Sequence, residues 1–315
     1  MAFADDYKGR LKLPLIAAPM FLVSGPELVI AACQNGALGS LPCANARTVD
    51  ILQKWIAQIT DALASGDAAP WAANLVVHPT NPRLAAEMDA LEQNKVPIII
   101  TALGGPRAIV DRVHAWGGKV FADVNSVGFA RKAVDAGVDG LVLVSAGAGG
   151  HTGPMNGFSL LAAVREFFDG PVALGGGLSN GAEIRAVEIA GADLAVMGTT
   201  FIPTEESLAD PEYKAMLIDS TIDDLVLTNT VTNVNANWLR HTLVRAGIEP
   251  SERLVNPKVD FGNAATIELQ RARWKTVWSA GHGIGSIRKV ETTADLVARL
   301  RREYLQACRK CSAYA

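Results

Sequence analysis

Along residues 1–202, short apolar runs alternate with longer stretches whose apolar positions fall at helical spacing. The runs predict strands at 13–20, 37–41, 71–77, 96–101, 119–124, 140–145, 171–176 and 194–199. Most are continuously apolar rather than alternating, as expected of strands covered on both faces. Between them lie helix signals. Ser24-Gly25-Pro26-Glu27 predicts a start with Ser24 as N-cap and Pro26 in the first turn. Further starts are predicted at Thr48, Asn81-Pro82, Ser126 and Asn180-Gly-Ala-Glu183. Asn35-Gly36, Ala136-Gly137 and Ala190-Gly191 carry the glycine that commonly ends a helix before the next strand.

Eight βα units predict an α/β fold, a (β/α)8 TIM barrel with its working face at the strand C-termini. An open doubly wound sheet would want a G-x-G-x-x-G turn after the first strand. That strand ends instead in Ala17-Ala18-Pro19-Met20. Beyond Phe201 the chain becomes more polar, and Thr292–Ala307 is again amphipathic. The expected division is a barrel over 1–202 and 286–315, with a smaller, mostly helical insertion subdomain at 203–285.

Charge narrows the function classes. The 29 basic and 32 acidic residues are interspersed, with a net charge of −3. No basic stripe points to nucleic acid or an anionic membrane surface. The apolar runs are too short for a membrane span, and MAFADDYKGR lacks a leader's apolar segment. A cytoplasmic protein is the expectation. Cys33, Cys43, Cys308 and Cys311 are too few for a disulfide framework, and the Cys308/Cys311 C-x-x-C pair is read as incidental tail thiols. The five histidines join no carboxylates at metal-ligand spacing, so no metal site is expected. Leu225, Val226 and Leu227 are candidates for a homodimer contact.

Candidate chemistry gathers at the predicted strand ends. Gly175-Gly176-Gly177 follows strand seven, and Gly198-Thr199 follows strand eight. Loops at these two places form the usual phosphate site of such barrels, where backbone N–H groups and a helix N-terminus meet an anion. FMN, a sugar phosphate or a nucleotide each satisfies that signal. The small residues of Ala17–Met20 let a flat ring approach the backbone. Asn74 is the polar member of an apolar run and offers both a donor and an acceptor. Asp123 is a lone acid in Val-Phe-Ala-Asp-Val and requires a partner or a ligand. After strand six comes SAGAGGHTGPMN, with four glycines within residues 147–153 and His151 among them. His282, in Ser-Ala-Gly-His-Gly, is a lesser candidate. His78 is a rim residue, and His114 and His241 belong to the surface.

Ala17-Ala-Pro-Met20, Asn74, Ala148-Gly-Gly-His-Thr-Gly153, Gly175–Gly177, Met197-Gly-Thr-Thr-Phe201, Thr204-Glu-Glu-Ser207, Tyr213-Lys214 and Trp278-Ser-Ala-Gly-His-Gly283 together resemble the nitronate monooxygenases, formerly 2-nitropropane dioxygenases. The resemblance runs nearly end to end. It implies a barrel holding non-covalent FMN, with the phosphate on Gly175, Gly176, Gly177, Gly198 and Thr199. It implies a ring near Ala18, Pro19, Met20, Asn74 and Gly149, and His151 as base or substrate-orienting group. Asp123, at the flavin's pyrimidine edge, departs from the family pattern, in which relatives often carry a different polar or basic residue, and an acid there disfavours an anionic reduced flavin unless neutralised. The segment 229–237 is unusually rich in Asn. The implied activity is oxidation of alkyl nitronates or nitroalkanes by O2 to carbonyl compounds and nitrite. The same framework resembles NAD(P)H-dependent FMN reductases of quinones or enoyl thioesters. A phosphate-binding isomerase or a flavin-binding module without turnover is the non-redox alternative.

Overall fold

A computed structural model describes residues 7, 9–251, 253–254 and 272–310. Eight parallel strands close into a barrel. They are β1 (Leu15–Ala17), β2 (Leu38–Pro42), β3 (Trp71–Val76), β4 (Ile98–Ala102), β5 (Lys119–Val124), β6 (Gly140–Val144), β8 (Val172–Gly175) and β9 (Leu194–Met197). All eight predicted runs are strands, and β1 pairs with both β2 and β9 to close the ring. The structure is a TIM barrel.

Register decides what faces inward. Ile16, Leu38, Ala72, Ile98, Ile100, Phe121, Val142, Ala173 and Leu194 form one buried cluster that fills the barrel. Side chains two residues further along each strand share that orientation. Asn74 follows Ala72, Asp123 follows Phe121, Val144 follows Val142 and Val196 follows Leu194. These residues are only partly buried, so the packed interior gives way to a concave mouth at the strand C-termini.

Helices α1 (Pro26–Gln34), α2 (Val49–Ala62), α3 (Leu84–Gln93), α4 (Arg107–Ala115), α5 (Val127–Asp135), α6 (Gly157–Arg165) and α7 (Gly181–Ile189) follow successive strands. Thr48, Ser126 and Asn180 cap their helices through side-chain oxygens, and Asn180 with Glu183 forms a capping box. Ser24 is not an N-cap. Gly25 takes that position, and Ser24 Oγ instead accepts from Met20 N and donates to the Ala18 carbonyl. The helix expected at Asn81-Pro82 begins at Leu84, because Asn81 Oδ1 accepts from Arg83 N in a local turn.

Beyond the barrel lie α8 (Pro211–Asp219), β10 (Leu225–Thr228), β11 (Ala236–Leu239) and α9 (Arg240–Arg245). Here the structure departs from the helical pattern read from the sequence. β10 and β11 form an antiparallel sheet with β7 (Gly150–His151), a two-residue strand in the glycine loop after β6. Of the three dimer candidates, Val226 packs into its own core, Leu225 is half-buried and Leu227 is exposed. The last helix, α10 (Thr293–Cys308), starts from a Thr292 cap and returns its Leu296, Val297 and Leu300 face to the barrel core. Cys308 is exposed, and Cys311 lies outside the described residues. No described helix is long and apolar enough to cross a membrane. Among the described residues, no cluster of His, Cys, Asp and Glu suits a metal ion.

Candidate active site

The barrel mouth brings three chain segments together: the loop after β6, the loops after β8 and β9, and the segment around Gly281. A Cβ at Gly149 would stand 2.7 Å from Gly281 N and 3.0 Å from Thr199 Oγ1, so glycine is what lets these segments meet. The contacts are fastened by hydrogen bonds from Gly281 N to Thr199 Oγ1 (2.8 Å) and from His282 N to the Gly147 carbonyl (2.9 Å). His282 is exposed at this rim, with Nδ1 2.9 Å from where a Gly147 Cβ would lie.

Gly176 (φ +140°) and Gly177 (φ +74°) occupy backbone conformations that L side chains rarely adopt. Neither the Gly177 nor the Leu178 N–H donates to any described acceptor. Thr199 Oγ1 is already an acceptor, so its own proton is free for a ligand. Thr200 Oγ1 is buried with no partner among the described residues. The Gly177 and Leu178 N–H groups and the Thr199 hydroxyl are thus donors left over just beyond β8 and β9. Gly175 belongs to the sheet: it is the last residue of β8, packed on Val196. The α7 N-terminus does not add to these donors. Asn180 N is held by the Glu183 carboxylate (3.2 Å) and Gly181 N by Glu303 (2.9 Å), so acids already occupy that helix end.

On the β1 side, Ala18, Pro19 and Met20 are partly exposed at the mouth, and Met20 Sδ lies 3.4 Å from the position of a Gly198 Cβ. Asn45, which carries no local signal in the sequence, pins this loop. Its amide donates to the carbonyls of Met20 (3.0 Å) and Ser24 (2.8 Å) and accepts from Leu22 N (2.8 Å). Asn74 Nδ2 donates to the Ile100 carbonyl (3.1 Å), which leaves its Oδ1 without a partner among the described residues.

The Asp123 carboxyl has no hydrogen-bond partner among the described residues, and burial pushes its pKa up from 3.8 to about 7. The folded chain therefore holds that proton more tightly than the unfolded chain does. Stability contributed by the neutral form is fully present below about pH 4 and is lost as pH rises toward 7. Asp123→Asn is expected to stabilise ligand-free protein increasingly over that range, by on the order of 2 kcal/mol at pH 8, a figure discounted because the carboxyl keeps some solvent contact. Melting temperatures at pH 4 and pH 8 check this. An Asn effect equal at both would contradict it.

His151 sits in β7, with the backbone pairing of His151 to Ala236 and of Gly150 to Asn237 holding the glycine loop flat. Asn237 Nδ2 reinforces it with a bond to the Ala148 carbonyl (2.8 Å). The imidazole Nε2 lies 3.3 Å from Thr232 Oγ1. The Trp274 ring meets it edge-on (centroids 6.0 Å, planes 76° apart), and Trp274 also contacts Phe21 (5.8 Å) and Trp238 (4.6 Å). This apolar wall desolvates the ring and pushes its pKa from 6.5 to about 4, so the imidazole is neutral at pH 7. Thr232, Trp274 and Asn237 are all remote in sequence from His151. His78 bonds Thr80, while His114 and His241 pair with Asp139 (2.9 Å) and Asp224 (3.5 Å) away from the mouth.

The chain matches the sequence model of the nitronate monooxygenase family over residues 80–303. It is similar to a nitronate monooxygenase of Paraburkholderia phytofirmans, at 25% identity over 96% of this chain and 95% of that protein. It is also similar to (3aS,4S,5R,7aS)-5-hydroxy-7a-methyl-1-oxo-octahydro-1H-indene-4-carboxyl-CoA dehydrogenase of Rhodococcus jostii, at 26% identity over 85% of this chain and 74% of that one. Among solved structures, nitroalkane oxidase from Streptomyces ansochromogenes superposes with a TM-score of 0.82 at 25% identity, covering 98% of this chain and 99% of the other.

Proposed function

The chain belongs to the nitronate monooxygenase family of flavin-dependent oxidoreductases, and from that premise we propose that it oxidises nitroalkanes and their nitronates with O2 to carbonyl compounds and nitrite, using FMN. The observation that carries this reading is the neutral, largely desolvated His151, held on β7 in the glycine loop after β6.

The residues fit FMN. Gly176, Gly177, Leu178, Gly198 and Thr199 would hold the phosphate through backbone N–H groups and the Thr199 hydroxyl. Ala18, Pro19, Met20, Asn74 and Gly149 would border the ring, and Asp123 would face it as a neutral acid below about pH 7. Bound FMN supplies the electron transfer and the reaction with O2.

The protein's own contribution is the proton. His151 accepts the hydrogen on the carbon bearing the nitro group, and the C–H electron pair moves into the nitro group to give the nitronate. Burial weakens the imidazole as a base in the ligand-free site. The negative charge that develops on the nitro oxygens favours the imidazolium as it forms and so strengthens the base at the moment of transfer. Trp274 and Phe21 wall the site with apolar surface that keeps water from the ring.

The relationship to a carboxyl-CoA dehydrogenase favours one second reading, an NAD(P)H-dependent FMN reductase acting on enoyl thioesters or quinones. Mixing the oxidised FMN protein anaerobically with NADH or NADPH separates the two. Slow or absent loss of flavin absorbance is expected, whereas rapid bleaching would replace the monooxygenase reading with the reductase one.

A further inference from the structure

The Asn-rich segment 229–237 has a structural task. Asn233 takes a left-handed conformation (φ +64°), and its N–H bonds the Asn229 carbonyl (2.9 Å) to form a tight turn. Asn229 is itself locked to Leu254 by two bonds, from its Nδ2 to the Leu254 carbonyl (2.9 Å) and from Leu254 N to its Oδ1 (2.7 Å). The Arg273 guanidinium holds the Thr230 carbonyl (3.3 Å), and Thr152 N bonds the Asn235 carbonyl (3.0 Å). The turn presents the buried Thr232 hydroxyl to His151.

That hydroxyl has one proton and two neighbours. It lies 3.3 Å from the Val234 carbonyl, which can only accept, and 3.3 Å from His151 Nε2. If the proton goes to Val234, Thr232 Oγ1 must accept from the ring. We propose that Thr232 is a positioning residue that fixes the His151 tautomer, with the proton on Nε2 and the lone pair on Nδ1, so that Nδ1 is the atom that takes the substrate proton. Nδ1 has no partner among the described residues. The bond at one ring nitrogen decides the state of the other. The downward shift of the imidazole pKa keeps the ring neutral at pH 7, where a single tautomer has meaning. The use of Nδ1 as proton acceptor rests on the proposed function. The tautomer assignment does not.

The test is nitrogen NMR of FMN-loaded protein labelled with 15N-histidine at pH 7, with the His151 signals identified by their loss in His151→Asn. Wild-type protein is expected to show a protonated, pyrrole-type Nε2 and an unprotonated, pyridine-type Nδ1. Thr232→Val should populate the opposite tautomer and lower kcat for a nitroalkane roughly 3- to 10-fold with little change in KM, the scale of one hydrogen bond. Thr232→Ser should restore both the spectrum and kcat. A wild-type ring protonated on Nδ1, or a Thr232→Val spectrum identical to wild type, overturns the proposal. A protein that is inactive on nitroalkanes but carries its proton on Nε2 upholds the tautomer and removes only the functional reading.

Discussion

Replacing His151 with asparagine is expected to lower kcat for nitroalkanes by about 10²- to 10⁴-fold, the usual contribution of a positioned general base, while the protein stays yellow. His151 belongs to β7 and the antiparallel sheet, whereas the proposed phosphate donors belong to the β8 and β9 loops. Cofactor retention and turnover should therefore separate. Asparagine fits beside Trp274 but has no nitrogen able to take a proton at neutral pH. The loss should be much smaller when the substrate is supplied as a preformed nitronate, because the proton has already gone. A paired assay on nitroethane and its nitronate, with flavin absorbance as the control, checks this. Equal losses on both substrates would mean that His151 orients the substrate instead of deprotonating it.

Gly176→Ala should act in the opposite way, weakening the hold on the cofactor while leaving the proton-accepting His151 in place. The +140° φ at this position is nearly closed to alanine. The new methyl would also collide with Ser145 Oγ and stand 2.9 Å from the Ala146 carbonyl. Ser145 cannot easily turn away, since its hydroxyl donates to the Gly175 carbonyl (2.8 Å) and ties β6 to β8. Backbone strain of this kind costs about 1–3 kcal/mol. If the loop relaxes by rotating the neighbouring peptides, the N–H groups of Gly177 and Leu178 are re-aimed. FMN affinity should fall about 10- to 100-fold, with a lower melting temperature in the flavin-free protein. Titration of the flavin-free variant with FMN, followed by fluorescence quenching, measures it. Wild-type affinity would show that the phosphate is held elsewhere.

The barrel was legible because a doubly covered strand must be apolar throughout, and eight such runs are hard to disguise. Helix starts were legible wherever a side-chain cap is local, as at Thr48, Ser126 and Asn180. Ser24 misled because its hydroxyl has a stronger use four residues back, at Met20 N. The glycine loops after β8 and β9 and the lone Asp123 could be picked out from strand position alone. The α7 N-terminus could not be judged that way, since Glu303 reaches it from α10. The groups that tune His151 were also hidden. Thr232 approaches from 81 residues away, and Trp274 and Asn237 arrive from the same distant region. Contacts of that kind leave no periodic trace in a single sequence. The Asn-rich segment did leave a compositional one, and its turn geometry gives the reason.

The most direct measurement is product analysis from FMN-loaded protein incubated with nitroethane in air, without any pyridine nucleotide. Nitrite and acetaldehyde in equal amounts, both lost in His151→Asn, are expected. No nitrite from nitroethane or its nitronate, together with rapid flavin bleaching by NADH or NADPH, would contradict a nitronate-oxidising enzyme.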